Sequence, residues 1–130
     1  MAERTTIGER DFTPDAASVA QARRYVLSLL ELDPTTTESV QLAVSELATN
    51  AVLHARSPFR VRVSIDSTTA RVAVFDHSEA TAARKDYGPE AVTGRGLTIV
   101  ERVTDDWGVT PDGKGKWVWF EVSLTGQAVR

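Results

Sequence analysis

The sequence predicts an α+β fold: a two-layer α/β sandwich with a mainly antiparallel mixed sheet and its helices on one face. Three observations predict it. Two stretches with helical periodicity come first, two runs of strict apolar alternation follow, and a short helix and a hairpin close the chain. Helices and strands come in runs rather than in regular alternation, which favours a helical layer packed on an antiparallel sheet.

The elements follow in order. Residues 1–11 read as a tail or an edge strand. "FTPDAASVAQARRYVLSLLEL" reads as a helix, with Thr13 as its cap, Pro14 at the first helical position, and Val19, Val26, Leu27 and Leu30 on one stripe. "DPTTTESVQLAVSELATNAVLHA" reads as a second helix; Thr35 and Glu38 have capping-box spacing, and Arg56-Ser57-Pro58 ends it. In "FRVRVSID", Phe59, Val61, Val63 and Ile65 face one way and Arg60, Arg62 and Ser64 the other. "ARVAVFD" repeats the pattern with Val72 and Val74, and Asp76 follows in their row. A tight turn around Ser67-Thr68-Thr69 joins the two strands. Residues 77–95 have weak periodicity and several turn formers, and read as a long loop, a place where function often sits. "GLTIVERVTDD" is a short helix. "WGVT" and "KWVWFEVSL" form a hairpin around Pro111-Asp112-Gly113.

Composition narrows the function classes. A chain of 130 residues suits a single domain, with its core over about 12–124. The net charge of −3 argues against direct nucleic-acid binding, which needs clustered positive charge. The absence of cysteine excludes disulfides and thiolate metal sites. No apolar run approaches the roughly 20 residues of a membrane span, and the first dozen residues have no signal-peptide core. A cytoplasmic location is expected.

One helical stretch stands out. In "ELATNAVLHA", Glu46, Asn50 and His54 form a polar ladder at the margin of an apolar arc through Val40, Val44, Leu47 and Ala51. A carboxylate and an amide at the margin of a core need partners. Two readings stand: Asn50 caps a loop and Glu46 pairs with an arginine, or both face a ligand. Asp76 favours the second, because an acid at the inward end of a strand before a long loop often reads a ligand; the alternative is a cap within that loop. "GRGLTIV" adds two glycines before a helix start, which suits close approach to a phosphate and also suits an ordinary turn.

Together, "ELATNAVLHA", "VAVFD", "GRGLTIV" and "WGV…GKGKWVWFEV" resemble the ATP-binding domain shared by gyrase-type ATPases, heat-shock chaperones of the ninety-kilodalton class, histidine kinases and mismatch-repair ATPases. Within that superfamily the chain resembles the anti-sigma factor serine/threonine kinases of actinobacteria. The resemblance covers residues 12–124 and implies ATP and Mg²⁺ as cofactors. It implies Asn50 as the Mg²⁺ ligand, Glu46 as the catalytic base toward a substrate serine, and Asp76 as the reader of the adenine amino group. Gly94, Arg95, Gly96 and Leu97 would form the nucleotide-binding segment over the phosphates. The implied partners are a sigma factor and an anti-anti-sigma protein, and the implied assembly is a homodimer. His54 is expected to pack or cap rather than catalyse.

The chain departs from that pattern in two places. Glycines that usually follow the adenine-reading aspartate are missing from Asp76-His77-Ser78-Glu79-Ala80, and Lys116 replaces a small hydroxyl residue in the last strand. Two functions therefore stand: an active serine kinase, or a partner-switching adaptor that keeps the fold and binds nucleotide weakly or not at all. A histidine kinase fragment is disfavoured, since the chain has no room for a helical hairpin with a phospho-accepting histidine. In the last strand, Val118, Phe120, Val122 and Leu124 share one face. Trp117 and Trp119 share the other, as ordinary sheet residues or as an interface.

Overall fold

The longest helix starts where the residue before a proline must stay extended. Asp33 has φ −70° and ψ 167°, and Pro34 takes the first helical position of α2 (Pro34–Asn50). The Asp33 carboxylate accepts the Thr36 N–H at 2.7 Å, so Asp33 is the cap. The capping box expected at Thr35 and Glu38 is displaced because Pro34 fixes the start of the helix two residues after Leu32. The first helix is corrected in the same way. Asp15 accepts the Ser18 N–H at 3.2 Å and the Thr13 hydroxyl at 2.7 Å. Thr13 to Ala16 thus belong to a turn, and α1 (Ala17–Leu29) begins after it, with no side-chain cap. Its buried face is Ser18, Ala22 and Val26, spaced one turn apart; Val19, Leu27 and Leu30 pack at the margin.

The computed structural model describes residues 3–77 and 94–124. The strands are β1 (Thr5–Phe12), β2 (Phe59–Ile65), β3 (Thr69–Asp76), β4 (Asp106–Asp112) and β5 (Gly115–Ser123); α3 (Gly94–Val103) precedes β4. The sheet order is β1-β2-β3-β5-β4, and every described pairing is antiparallel, so the expected mixed component is absent among the described residues. Residues 5–11, one part of the segment left open as tail or strand, form an edge strand on β2. The β4–β5 turn lies at Gly113-Lys114, later than expected. Gly113 supplies the left-handed conformation at φ +63°, and Pro111 sits in edge strand β4, where a missing N–H is tolerated.

Alternation settles the layers. Phe59, Val61 and Val63 of β2, Val72 and Val74 of β3, and Val118, Phe120 and Val122 of β5 turn inward and are buried with the apolar arc of α2. The opposite face has no helix among the described residues.

The helices also define two ends. Thr35, Thr36 and Ser39 in the first turns of α2 line a cleft with Val103 of α3 and Val122 and Ser123 of β5. α2 therefore starts, and α3 finishes, at the Ser123 end. The last turn of α2 and the first turn of α3 point to the other end, where β3 finishes at Asp76 and β5 begins. The expected loop falls partly at this end; residues 78–93 lie outside the described residues, while Gly94 and Arg95 already belong to α3.

Candidate functional site

At the Asp76 end, α2 does not finish as a regular helix. After Asn50 the backbone widens into a π-helical turn, Ala51–Ala55, which stops at Arg56 in the left-handed region with φ 55°. A π turn is uncommon and tends to occur at functional positions. Here it comes directly after the amide of the polar ladder. It also breaks the ladder: four residues make less than a full turn in π geometry, and His54, expected to pack or cap, is exposed.

Glu46 and Asn50 lie one turn apart on α2, both half-buried. Among the described residues neither side chain makes a hydrogen bond or an ion pair. The first of the two readings, a loop-capping Asn50 and an Arg-paired Glu46, is therefore not what the fold builds. Arg23, the cation of α1 that reaches α2, bonds Ser45 at 2.9 Å instead. A half-sheltered carboxylate and amide without protein partners are groups available to a ligand or to water.

Asp76 ends β3 on the inner row, as expected, and is 4 % exposed. Directly across the sheet stands Lys116, 6 % exposed, whose Nζ donates to Oδ1 at 2.9 Å and Oδ2 at 3.2 Å. The ammonium thus bridges both carboxylate oxygens in a desolvated position. Sequence reasoning marked Lys116 only as a replacement and missed its partner. The signal was present: stepping back by two from Val118 along the inward row reaches Lys116. Gly115 completes the junction, since a Cβ there would collide with the Asp76 carbonyl oxygen and the Phe75 ring.

Gly94 and Gly96 form the first turn of α3 with Arg95 between them. Leu97 is 2 % exposed and packs in the core beside Val100, so it anchors the helix start rather than lining an open surface. The first N–H groups of α3, without intrahelical acceptors, lie at the end of the sandwich that also holds Asn50 and Asp76. The fold thus brings Glu46, Asn50, Asp76 and the segment from Gly94 to Leu97 to one end. An amide oxygen such as that of Asn50 suits a hard cation that keeps water and phosphate oxygens as its other ligands. Among the described residues, no three acidic or histidine side chains cluster as a protein-only metal site.

Trp117 and Trp119 lie apart from this site, on the helix-free face. The Arg62 guanidinium stacks over Trp117 at 4.3 Å and that of Arg71 over Trp119 at 4.1 Å. The indole N–H groups reach Asp112 at 3.0 Å and Thr110 at 3.2 Å. Glu121 accepts from both Arg71 and Arg4, and Arg62 pairs with Glu9 at 2.6 Å. The face is a layer of stacked cations and rings around a shallow groove of about 270 Å³.

Comparison with known proteins agrees with this architecture. Among solved structures, part of a chain comprising the RsbU and RsbW domains of Rv1364c from Mycobacterium tuberculosis has the same fold, with a TM-score of 0.66 at 16% identity. The match covers 88% of this chain and 32% of that one, so the chain spans about a third of that neighbour's length. No curated protein sequence matches the chain. The family model for the histidine kinase-like ATPase domain matches residues 12–122, from the last residue of β1 nearly to the end of β5. The chain belongs to the histidine kinase-like ATPase domain family.

Proposed function

We propose that the chain is an ATP-binding anti-sigma regulatory factor of the cytoplasm that sequesters a sigma factor and phosphorylates an anti-anti-sigma protein on serine. The observation that carries this reading is the pair Glu46 and Asn50. They are half-buried one turn apart before a π turn, unpaired among the described residues, at the end that also holds Asp76 and the start of α3. The family match supports nucleotide binding in general, and the RsbW domain of the Mycobacterium tuberculosis neighbour supports the regulatory role.

In this reading Glu46 would accept the proton of the substrate serine hydroxyl as the serine oxygen bonds to the γ-phosphorus of ATP and the γ-phosphorus–oxygen bond to ADP breaks, ADP leaving. Asn50 would offer its amide oxygen to Mg²⁺, and the backbone N–H groups of the segment from Gly94 to Leu97 would hold phosphate oxygens. When bound, ATP would supply the phosphoryl group and Mg²⁺ the neutralising charge; the protein's share is positioning and a general base. Asp76 would lie beside the adenine ring of the nucleotide. The open sheet face with Trp117 and Trp119 serves as a protein interface in a homodimer or with a partner.

A second reading is favoured by one observation. The Lys116 ammonium lies across both oxygens of Asp76. This suits a partner-switching adaptor that keeps the fold and binds nucleotide weakly or not at all. Calorimetry with ATP, with and without Mg²⁺, beside Asn50→Ala separates the two. Mg²⁺-dependent heat that the variant loses supports the kinase, to be followed by phosphate transfer to candidate antagonist proteins. No binding at millimolar ATP sinks the kinase and leaves the adaptor.

A further inference from the structure

We infer that Lys116 is the selectivity residue of the pocket: its ammonium takes the place a purine 6-amino group would occupy on Asp76, and the pocket is indifferent to that group. The inference rests on the nucleotide reading above. The geometry carries it. Nζ lies 2.9 and 3.2 Å from the two carboxylate oxygens, and both residues are almost fully buried, at 4 % and 6 % exposure.

In a desolvated place two opposite full charges attract more strongly than a carboxylate and a neutral donor do, so an uncharged amino group does not displace the ammonium. Nor can Lys116 slip away along the strand. Asp76 and Lys116 are direct cross-strand partners, their inner-face neighbours Val74 and Val118 are paired and buried, and Gly115 sits against the Asp76 backbone. A base entering here meets a neutralised pair rather than an open carboxylate. Purine nucleoside triphosphates with a 6-amino group or with hydrogen at that position then bind alike, held by their phosphates and by the shape of the site.

The test compares ATP with purine riboside triphosphate, which lacks the amino group, on the full chain with Mg²⁺ by calorimetry. Lys116→Thr and the milder Lys116→Gln are run beside it, with circular dichroism to confirm folding. The expected result is wild-type dissociation constants equal within about threefold. In the variants, ATP gains a preference of about tenfold or more, as for a site freed to hydrogen-bond its ligand. Unmeasurable wild-type binding with measurable, ATP-selective binding by either variant supports the same conclusion. A wild-type preference of about tenfold for ATP overturns the inference and leaves the nucleotide reading standing. Folded variants that bind without any preference also overturn it. No binding of either nucleotide to any of the proteins overturns the nucleotide reading, and this inference with it.

Discussion

The two ends of the sandwich are built from the same residue types and use them differently. At the Ser123 end, the principal polar groups have local partners. Asp33 caps α2, the Thr104 hydroxyl returns to the Val100 carbonyl, and Asp66 gathers the Thr68 and Thr69 N–H groups in the β2–β3 turn. At the Asp76 end, Glu46 and Asn50 lack side-chain partners among the described residues, the helix loosens into a π turn, and the buried Asp76–Lys116 pair joins two strands. One end spends its polar groups on the fold. The other leaves them facing outward at the margin of the core, where they add little to stability and are open to a ligand. That division is typical of a site maintained at some expense to the fold.

The largest expected effect breaks the buried pair. Lys116→Ala removes the ammonium from both oxygens of the buried Asp76 carboxylate and is expected to lose about 3–5 kcal/mol in urea unfolding. The double variant Asp76→Leu with Lys116→Met removes both charges and recovers most of that loss, because two apolar side chains extend the inner row beyond the Val74–Val118 pair. A single variant within about 1 kcal/mol of wild type would place the pair among weak surface bridges such as Arg60–Asp11, whose partners are 47% and 60% exposed.

Next in size is the cap at the closed end. Asp33→Ala removes the acceptor of the Thr36 N–H and is expected to cost about 1 kcal/mol. The same truncation at the other end, Asn50→Ala, is expected to change unfolding free energy by less than about 0.5 kcal/mol while abolishing Mg²⁺-dependent ATP binding. Glu46→Gln is expected to stay within the same limit and to stop phosphate transfer. A destabilisation of Asn50→Ala equal to that of Asp33→Ala would erase the contrast between the ends and make Asn50 a structural residue.

How far the sequence exposed this contrast depends on the range of the interaction. The apolar arc of α2, the alternating strands and the inward row ending at Asp76 are periodic features, and each lies where its period put it. The helix starts were misjudged by a few residues, since several hydroxyl and acidic residues compete for each cap. At α2 the choice falls to Asp33 through the restriction Pro34 imposes on it. The π turn after Asn50 has no local signature, because Ala51–Ala55 would equally continue an α-helix. The Asp76–Lys116 pair spans 40 residues and depends on the β3–β5 register, which only the assembled sheet fixes. The site was legible as separate pieces, and the contact that most bears on its selectivity was not.

The smallest effect concerns the acid side of the closed end. The Thr68 N–H, then the Thr69 N–H and hydroxyl, with Arg4 beside them, hold the Asp66 carboxyl at about 2, below the ordinary 3.8. A carboxyl whose pKa is lowered by folding contributes its stabilisation in full above the unfolded value, and loses it as pH falls toward the folded one. The contribution of Asp66 is therefore complete above about pH 4 and fades between there and about pH 2. Asp66→Asn keeps an oxygen for the two N–H groups but cannot titrate. Its stability is expected to lie slightly below wild type at neutral pH, with the gap closing across that acid window, as measured by thermal unfolding at stepped pH. A gap that stays constant down to pH 2 would mean that the turn is held by its shape and not by the charge of Asp66. The closed end would then owe its order to backbone geometry, and the difference between the ends would rest on the buried pair and the unpaired amide alone.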